Sequence, residues 1–217
     1  MVISDMHAPL QHPDTLDFLS DTYKRFKCNH VVCVGDEIDF HNLSQWPKEH
    51  DAPGPDDEFS QAMDFMLHIY KLFPKVDVCV SNHTSRVYRT AHRAGLSDRY
   101  MKDYSEWMAA PPGWHWKERY IIDNVLYFHG DGYSGEKGHI NAARDSHIST
   151  VIGHLHGHAG VHYITGAIDR IFALNVGCLI DVDAYGFRYG KHSRVKPSLG
   201  CGVVVEGKEA YFVPLLG

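Results

Sequence analysis

Short apolar runs rich in Val and Ile recur along this chain, and each is followed at once by a residue that can hold a proton or a metal. "MVI" opens the sequence, "HVVCVG" covers 30–35, "KVDVCVS" 75–81, "VLYFHG" 125–130 and "STVIGH" 149–154. The runs are continuous rather than alternating, as strands covered on both faces should be. Helical spacing fills the gaps. Leu16, Leu19, Tyr23 and Phe26 predict a helix over 12–27, and Phe59, Met63, Met66, Ile69 and Leu72 predict another over 56–73, ended by Pro74. A third helical stretch is expected within 84–110 and a fourth over 136–147. The acidic, Pro-rich segment 46–58 reads as an exposed loop. Beyond residue 158 the texture turns to hairpins, "HYITGAIDRIFALNVG" and "GVVVEGKEAYFVPL". The order implies an α/β fold, either a layered α/β or an α/β/β/α sandwich, with a β-rich C-terminal part, in one domain over 1–217.

Composition sets outer limits. With 217 residues, 44% apolar and 22% charged, the chain can build one full core. A formal charge of -6 gives no global attraction to nucleic acid or an anionic membrane, although bound cations can reverse the sign locally. Five cysteines, an odd number without a CxxC pair, suit buried thiols in a reducing compartment. The first residues carry no basic and then apolar leader pattern, and no 18-residue apolar stretch occurs, so a cytoplasmic protein without membrane partners is expected. Histidine is the outlier at 17 residues, and imidazole is the commonest metal ligand.

Position makes that excess informative. Ligands of open α/β sheets sit at the carboxyl ends of strands. There the sequence places Asp5 and His7 (DxH), Asp36 and Asp39 (GDxxD), Asn82 and His83 (SNH), His129, and His154 and His156 (GHxH). An extended backbone would point residues i and i+2 to one side, so DxH and GHxH could each send both side chains into one cluster. Oxygen donors mixed with imidazole suit Mn²⁺, Fe or Zn²⁺ better than Ca²⁺ or a thiolate zinc site.

Those five motifs, in that order and each after a strand, resemble the calcineurin-like metallophosphoesterases, most closely small bacterial and phage-type members; the match spans residues 5–156. The resemblance implies a four-layer α/β/β/α sandwich and two divalent ions, Mn²⁺ foremost, with Fe, Zn²⁺ or Ni²⁺ as alternatives. It implies that Asp36 bridges the ions, that Asp5, His7 and His156 complete the first shell, and that Asn82, His129 and His154 complete the second. His83 would protonate the leaving oxygen and Asp39 would orient it. Ser81 and Thr84 depart from the Gly and acidic residue usual around Asn-His, and "DFHN" replaces the Arg-Gly that follows GDxxD in Ser/Thr protein phosphatases.

The activity so implied is hydrolysis of a phosphodiester, by a nuclease or a nucleotide phosphodiesterase acting on a phosphate ester such as DNA or RNA. A phosphomonoesterase acting on a metabolite or phosphoprotein is the first alternative, and a non-catalytic metal-binding scaffold the second. Arg86 is placed to reach a substrate phosphate, with Arg89 and Arg93 at helical spacing behind it. The basic segment 187–196, with Arg188, Tyr189, Lys191, His192, Arg194 and Lys196, would suit a nucleic-acid backbone or simply be an exposed loop. His139, His158 and His162 are expected to be supporting residues rather than ligands, and "PPGWHWKERY" (111–120) core and strand.

Overall fold

The computed structural model describes residues 1–45, 49–187 and 194–216. Its α/β architecture holds two mixed sheets. Parallel pairing joins β1 (Val2–Ile3), β2 (Val32–Cys33), β3 (Lys75–Cys79) and β4 (Gly113–Lys117). The antiparallel hairpin β10 (Gly200–Val205) and β11 (Glu209–Pro214) extends that sheet beyond β1, giving the order β11-β10-β1-β2-β3-β4. The second sheet runs β5-β6-β7-β9-β8, from β5 (Tyr120–Ile122), β6 (Val125–Tyr127), β7 (Ser149–Ile152), β8 (Gly160–Thr165) and β9 (Arg170–Asn175). Both predicted hairpins form, and the Trp-rich segment supplies edge strand β4, with Trp114 buried and its indole N–H donating to Phe73 O.

The apolar runs are longer than the strands they contain because each run continues into a buried loop. Val2, Val32, Val34 and Cys79 from the first sheet pack with Val125, Tyr127, Val151, Phe172 and Leu174 from the second, so one core lies between the sheets. Across the first sheet, Ile3, Cys33, Val76 and Val78 meet α1 (Thr15–Arg25) and α2 (Pro55–Leu72) through Leu19, Ala62, Phe65, Met66 and Ile69. Helix α5 (Gly138–Ser146) lies against β7 and β9.

Helix α2 starts where its chemistry favours it, with Pro55 in the first turn and Asp56, Asp57 and Glu58 near the positive end of the dipole. Glu58 corrects the expectation of an exposed acidic segment. It is buried and accepts from the backbone N–H of His41 (2.5 Å) and Asn42 (3.1 Å) and from Asn42 Nδ2 (2.7 Å). The 84–110 stretch is broken rather than one helix: α3 (Arg86–Arg93) ends where Gly95 takes φ +82 and Leu96 N–H reaches back to Ala91 O, and the short α4 (Tyr104–Trp107) follows. Among the described residues all five cysteines are free, and no helix is long and apolar enough to cross a membrane.

Candidate metal centre

The residues predicted at strand ends do meet, but by a different local geometry. Asp5 and His7 lie beyond β1 in a loop where both take left-handed backbone (φ +49 each), as do Asp36 (φ +54) and His154 (φ +63). Alternation along an extended strand therefore does not explain DxH or GHxH. Asp and His are among the few non-glycine residues that tolerate this region. The kinked loop is tied to its neighbour by Asp5 N–H to Gly35 O and His7 N–H to Asp36 O, both 2.9 Å. Gly35 must be glycine: its φ is +103, and a Cβ there would stand 2.5 Å from Ser81 Cβ and 2.9 Å from His129 Nδ1. A Cβ on Gly153 would likewise overlap Ser4 Oγ and Asp5 Oδ2.

Each carboxylate gives one oxygen to local donors and presents the other to a common centre. Asp5 Oδ2 accepts from Ser4 Oγ and from His154 N–H (3.0 Å), which leaves Oδ1 facing His156 Nε2 at 3.0 Å and His7 Nε2 at 3.8 Å. Asp36 Oδ1 accepts from His83 N–H (3.1 Å), and its Oδ2 stands 3.5 Å from His7 Nε2 and 3.3 Å from His129 Nε2. Among the described residues three groups could each hold a cation, Asp5–His7–His156, His7–Asp36–His83 and Asp36–His129–His154, and Asp36 belongs to two of them. Asn82 Oδ1 joins the last, 2.7 Å from His129 Nε2.

The tautomers follow from the outer partners. His7 Nδ1 faces the Asp39 carboxylate at 2.7 Å and His129 Nδ1 faces Val34 O at 2.8 Å. Both partners only accept, so each Nδ1 carries a proton and each neutral ring turns a lone pair inward. Those lone pairs face other ring nitrogens: His7 Nε2 is 3.1 Å from His156 Nε2, and His129 Nε2 is 3.2 Å from His154 Nδ1. Lone pairs converging on carboxylates exposed by 1% or less call for positive charge at the centre.

Protons meet that demand when no cation does. Burial disfavours a charged His7, but the Asp39 and Asp5 carboxylates outweigh it and raise its pKa to about 10. His129 is raised to about 9, again against burial, chiefly by Asp36. Burial alone would lift Asp5 and Asp36. Hydrogen bonds from His156 and His7 hold Asp5 well below the carboxylate range, and His129 and His83 do the same for Asp36. Asp39, also buried, is pulled down by His7 and His83. His154 is lowered by burial and by the His129 charge. The donor set fits two divalent ions: hard oxygens, imidazoles with outer hydrogen bonds fixing the tautomer, and a shared carboxylate.

His83 stands beside this centre, its ring edge-on to His7 at 4.5 Å and its Nε2 4.0 Å from Asp36 Oδ2. Asp39 holds it mainly through the backbone: His83 Nδ1 donates to Asp39 O at 2.7 Å, with the carboxylate Oδ1 at 3.2 Å. Asp39 therefore orients two imidazoles, His7 with its side chain and His83 with its carbonyl. Arg86 donates to Asp39 O (2.8 Å), Phe40 O (3.2 Å) and His83 Nε2 (3.0 Å), so its guanidinium is built into the site rather than reaching freely for substrate.

Several supporting residues carry no motif. Ser81 Oγ accepts from Asp36 N–H (3.0 Å), and Thr84 Oγ1 bridges Ser81 Oγ (2.8 Å) to the buried Glu37 Oε2 (2.7 Å), whose other oxygen accepts from Trp116 Nε1 (2.9 Å). Thr84 thus anchors the loop that carries Asn82 and His83 from beneath. Asn175 Nδ2 donates to Leu155 O (2.8 Å) and Gly157 O (2.9 Å), clamping the GHxH loop. A single Asn ending the apolar run "RIFAL" was the available signal for it. His139 is buried, with a pKa lowered to about 4 by desolvation and then by His162 and His158, and the three form no ligand group among the described residues. Arg188, Tyr189, Lys191 and His192 of the basic loop lie outside the described residues, as do 46–48.

Compared with models of known protein families and with curated proteins, this chain matches none.

Proposed function

We propose that this chain is a phosphoesterase dependent on two divalent metal ions, Mn²⁺ foremost, that hydrolyses phosphodiester bonds on a four-layer α/β/β/α scaffold of the metallophosphoesterase type. The observation that carries the reading is the double cluster of inward-facing acceptors around Asp36, with an imidazole of different hydrogen bonding at its edge. Asp5, His7 and His156 would hold one ion, Asn82, His129 and His154 the other, and Asp36 both. Ions bound there supply positive charge against the phosphoryl oxygens and acidify the attacking water. The free thiols, four of them buried, suit a reducing compartment.

His83 differs from the ligands in where its proton sits. Nδ1 holds one proton against Asp39 O, and Nε2 accepts from Arg86, an obligate donor. To act as general acid, His83 takes a second proton on Nε2 and passes it to the leaving oxygen. Arg86 must then turn its N–H from the ring, and an incoming phosphate is the stronger acceptor that draws it away. Arg86 is on this account a positioning residue in the resting site and a phosphate ligand in the occupied one.

The test is hydrolysis of bis-p-nitrophenyl phosphate beside p-nitrophenyl phosphate by metal-stripped protein with Mn²⁺ restored. Diester cleavage that needs Mn²⁺ and is lost in Asp36→Asn and His83→Ala is expected. Monoester cleavage alone would move the assignment to a phosphomonoesterase, and bound metal without cleavage of either ester would leave a scaffold.

A further inference from the structure

Helix α3 begins three residues after His83 and carries Arg86, Arg89 and Arg93. Positions i, i+3 and i+7 share one helix face. With Asn82, Thr90 and residues 43–45 they line a cavity of about 380 Å³, within the roughly 300–1,000 Å³ typical of ligand sites. The cavity reaches the His83 side of the cluster through Asn82 and through Arg86, which donates to His83 Nε2 at 3.0 Å. It is an arginine surface without acids. Residues 82–97 contain no Asp or Glu, and the next acid, Asp98, pairs with His92 at 2.6 Å. Among the described residues no carboxylate makes an ion pair with Arg89 or Arg93, and Arg89 is bonded only to the Asn82 carbonyl. Arg89 also sits in the first half of the helix, where the dipole disfavours cations and the first turn holds no acid. A chain of net charge -6 has here kept two arginines, Arg89 and Arg93, without an ion pair among the described residues.

From this arrangement we infer that the Arg89–Arg93 face is a subsite for a further phosphate on the leaving-group side of the scissile bond, and that the substrate is a nucleic-acid strand. The inference rests on the phosphodiester reading above. Positions 86, 89 and 93 follow one another along one helix face rather than around a point. Seven residues of helix rise roughly 10 Å, about the axial length over which one strand of a duplex carries three phosphates. A compact polyphosphate would instead want converging donors.

Two readouts test it separately from the parent reading. In metal-free protein, fluorescence anisotropy of labelled dT12 should show Arg93→Glu weakening binding about tenfold or more. Arg93→Ala should lower the slope of log Kd against log salt by about 0.7, the value for one lost phosphate contact on a single strand. With Mn²⁺, KM for oligothymidylates should fall about tenfold from dT2 to dT6, and Arg93→Ala should lower kcat/KM for dT6 relative to bis-p-nitrophenyl phosphate about tenfold, through KM. Binding of dT12 indifferent to residue 93, length-independent KM, or tighter competition by tripolyphosphate than by dT6 would overturn the subsite. Failure to cleave bis-p-nitrophenyl phosphate would overturn the parent reading, while the anisotropy result would still decide whether this face binds a strand.

Discussion

Replacing Thr84 by Val tests whether the loop carrying Asn82 and His83 is held from below as the hydrogen bonds indicate. Valine keeps the shape and removes the hydroxyl that joins Ser81 Oγ at 2.8 Å to Glu37 Oε2 at 2.7 Å. Ser81 Oγ keeps its bonds to the N–H groups of Asp36 and Thr84. Glu37 keeps Trp116 on its other oxygen, and its carboxylate is fully buried. Stranding one oxygen of a buried carboxylate costs about 1–3 kcal/mol, so a loss near 2 kcal/mol is expected. For a chain of this length that is a fall in Tm of roughly 4–8 °C.

The pH dependence of that loss has a definite sign. Burial raises the Glu37 pKa above its ordinary value, so the group's contribution is fully present below the ordinary carboxylate range and is lost as pH rises through the raised value. Removing Thr84's donor adds to the cost of the charged form, so the deficit should be larger at pH 7.5 than at pH 5. In a Glu37→Gln background the same substitution should cost less, with a coupling of about 1 kcal/mol. Urea and thermal melts of the four proteins decide it. A melt within 1 °C of the parent, or an additive cycle, would refute the network; a pH-independent deficit would assign the loss to packing instead.

Other outcomes follow from the same geometry. Asp39→Asn puts an amide against His7 Nδ1 and should weaken metal binding about 10–100-fold by calorimetry; an unchanged Kd would mean that Asp39 does not set the His7 tautomer. Because the His7 and His129 pKa values are raised to about 10 and about 9, their protons stabilise the metal-free fold below pH 6.5, and that stability is lost as pH rises toward 9–10. Mn²⁺ must displace those protons, so the metal-induced gain in stability should grow over the same window, reaching about 2.7 kcal/mol per site at a hundredfold excess over Kd. A gain that shrinks from pH 7 to 9 would count against cations at these histidines.

How much of this was legible beforehand can be read residue by residue. The order of elements was, because apolar runs and helical spacing are local properties, and so were the donors, because ligands of such sheets gather at strand ends. The sequence by itself thus determined which side chains arrive at the sheet edge. It did not determine how they are aimed. Asp5, His7, Asp36 and His154 turn through left-handed backbone that no alternation pattern encodes, held by bonds between loops tens of residues apart. Glu37, Thr84 and Trp116 form one network across 79 residues of chain, Asn175 clamps a loop 20 residues behind it, and the buried Glu58 leaves its acidic neighbours to cap the turn at His41 and Asn42. That Arg86, expected to reach a substrate phosphate, also donates to Asp39 O, Phe40 O and His83 Nε2 was not legible in its spacing. Hydrogen-bond satisfaction in a buried site is a property of the assembled neighbourhood, so only the tertiary structure could decide which donor meets which acceptor.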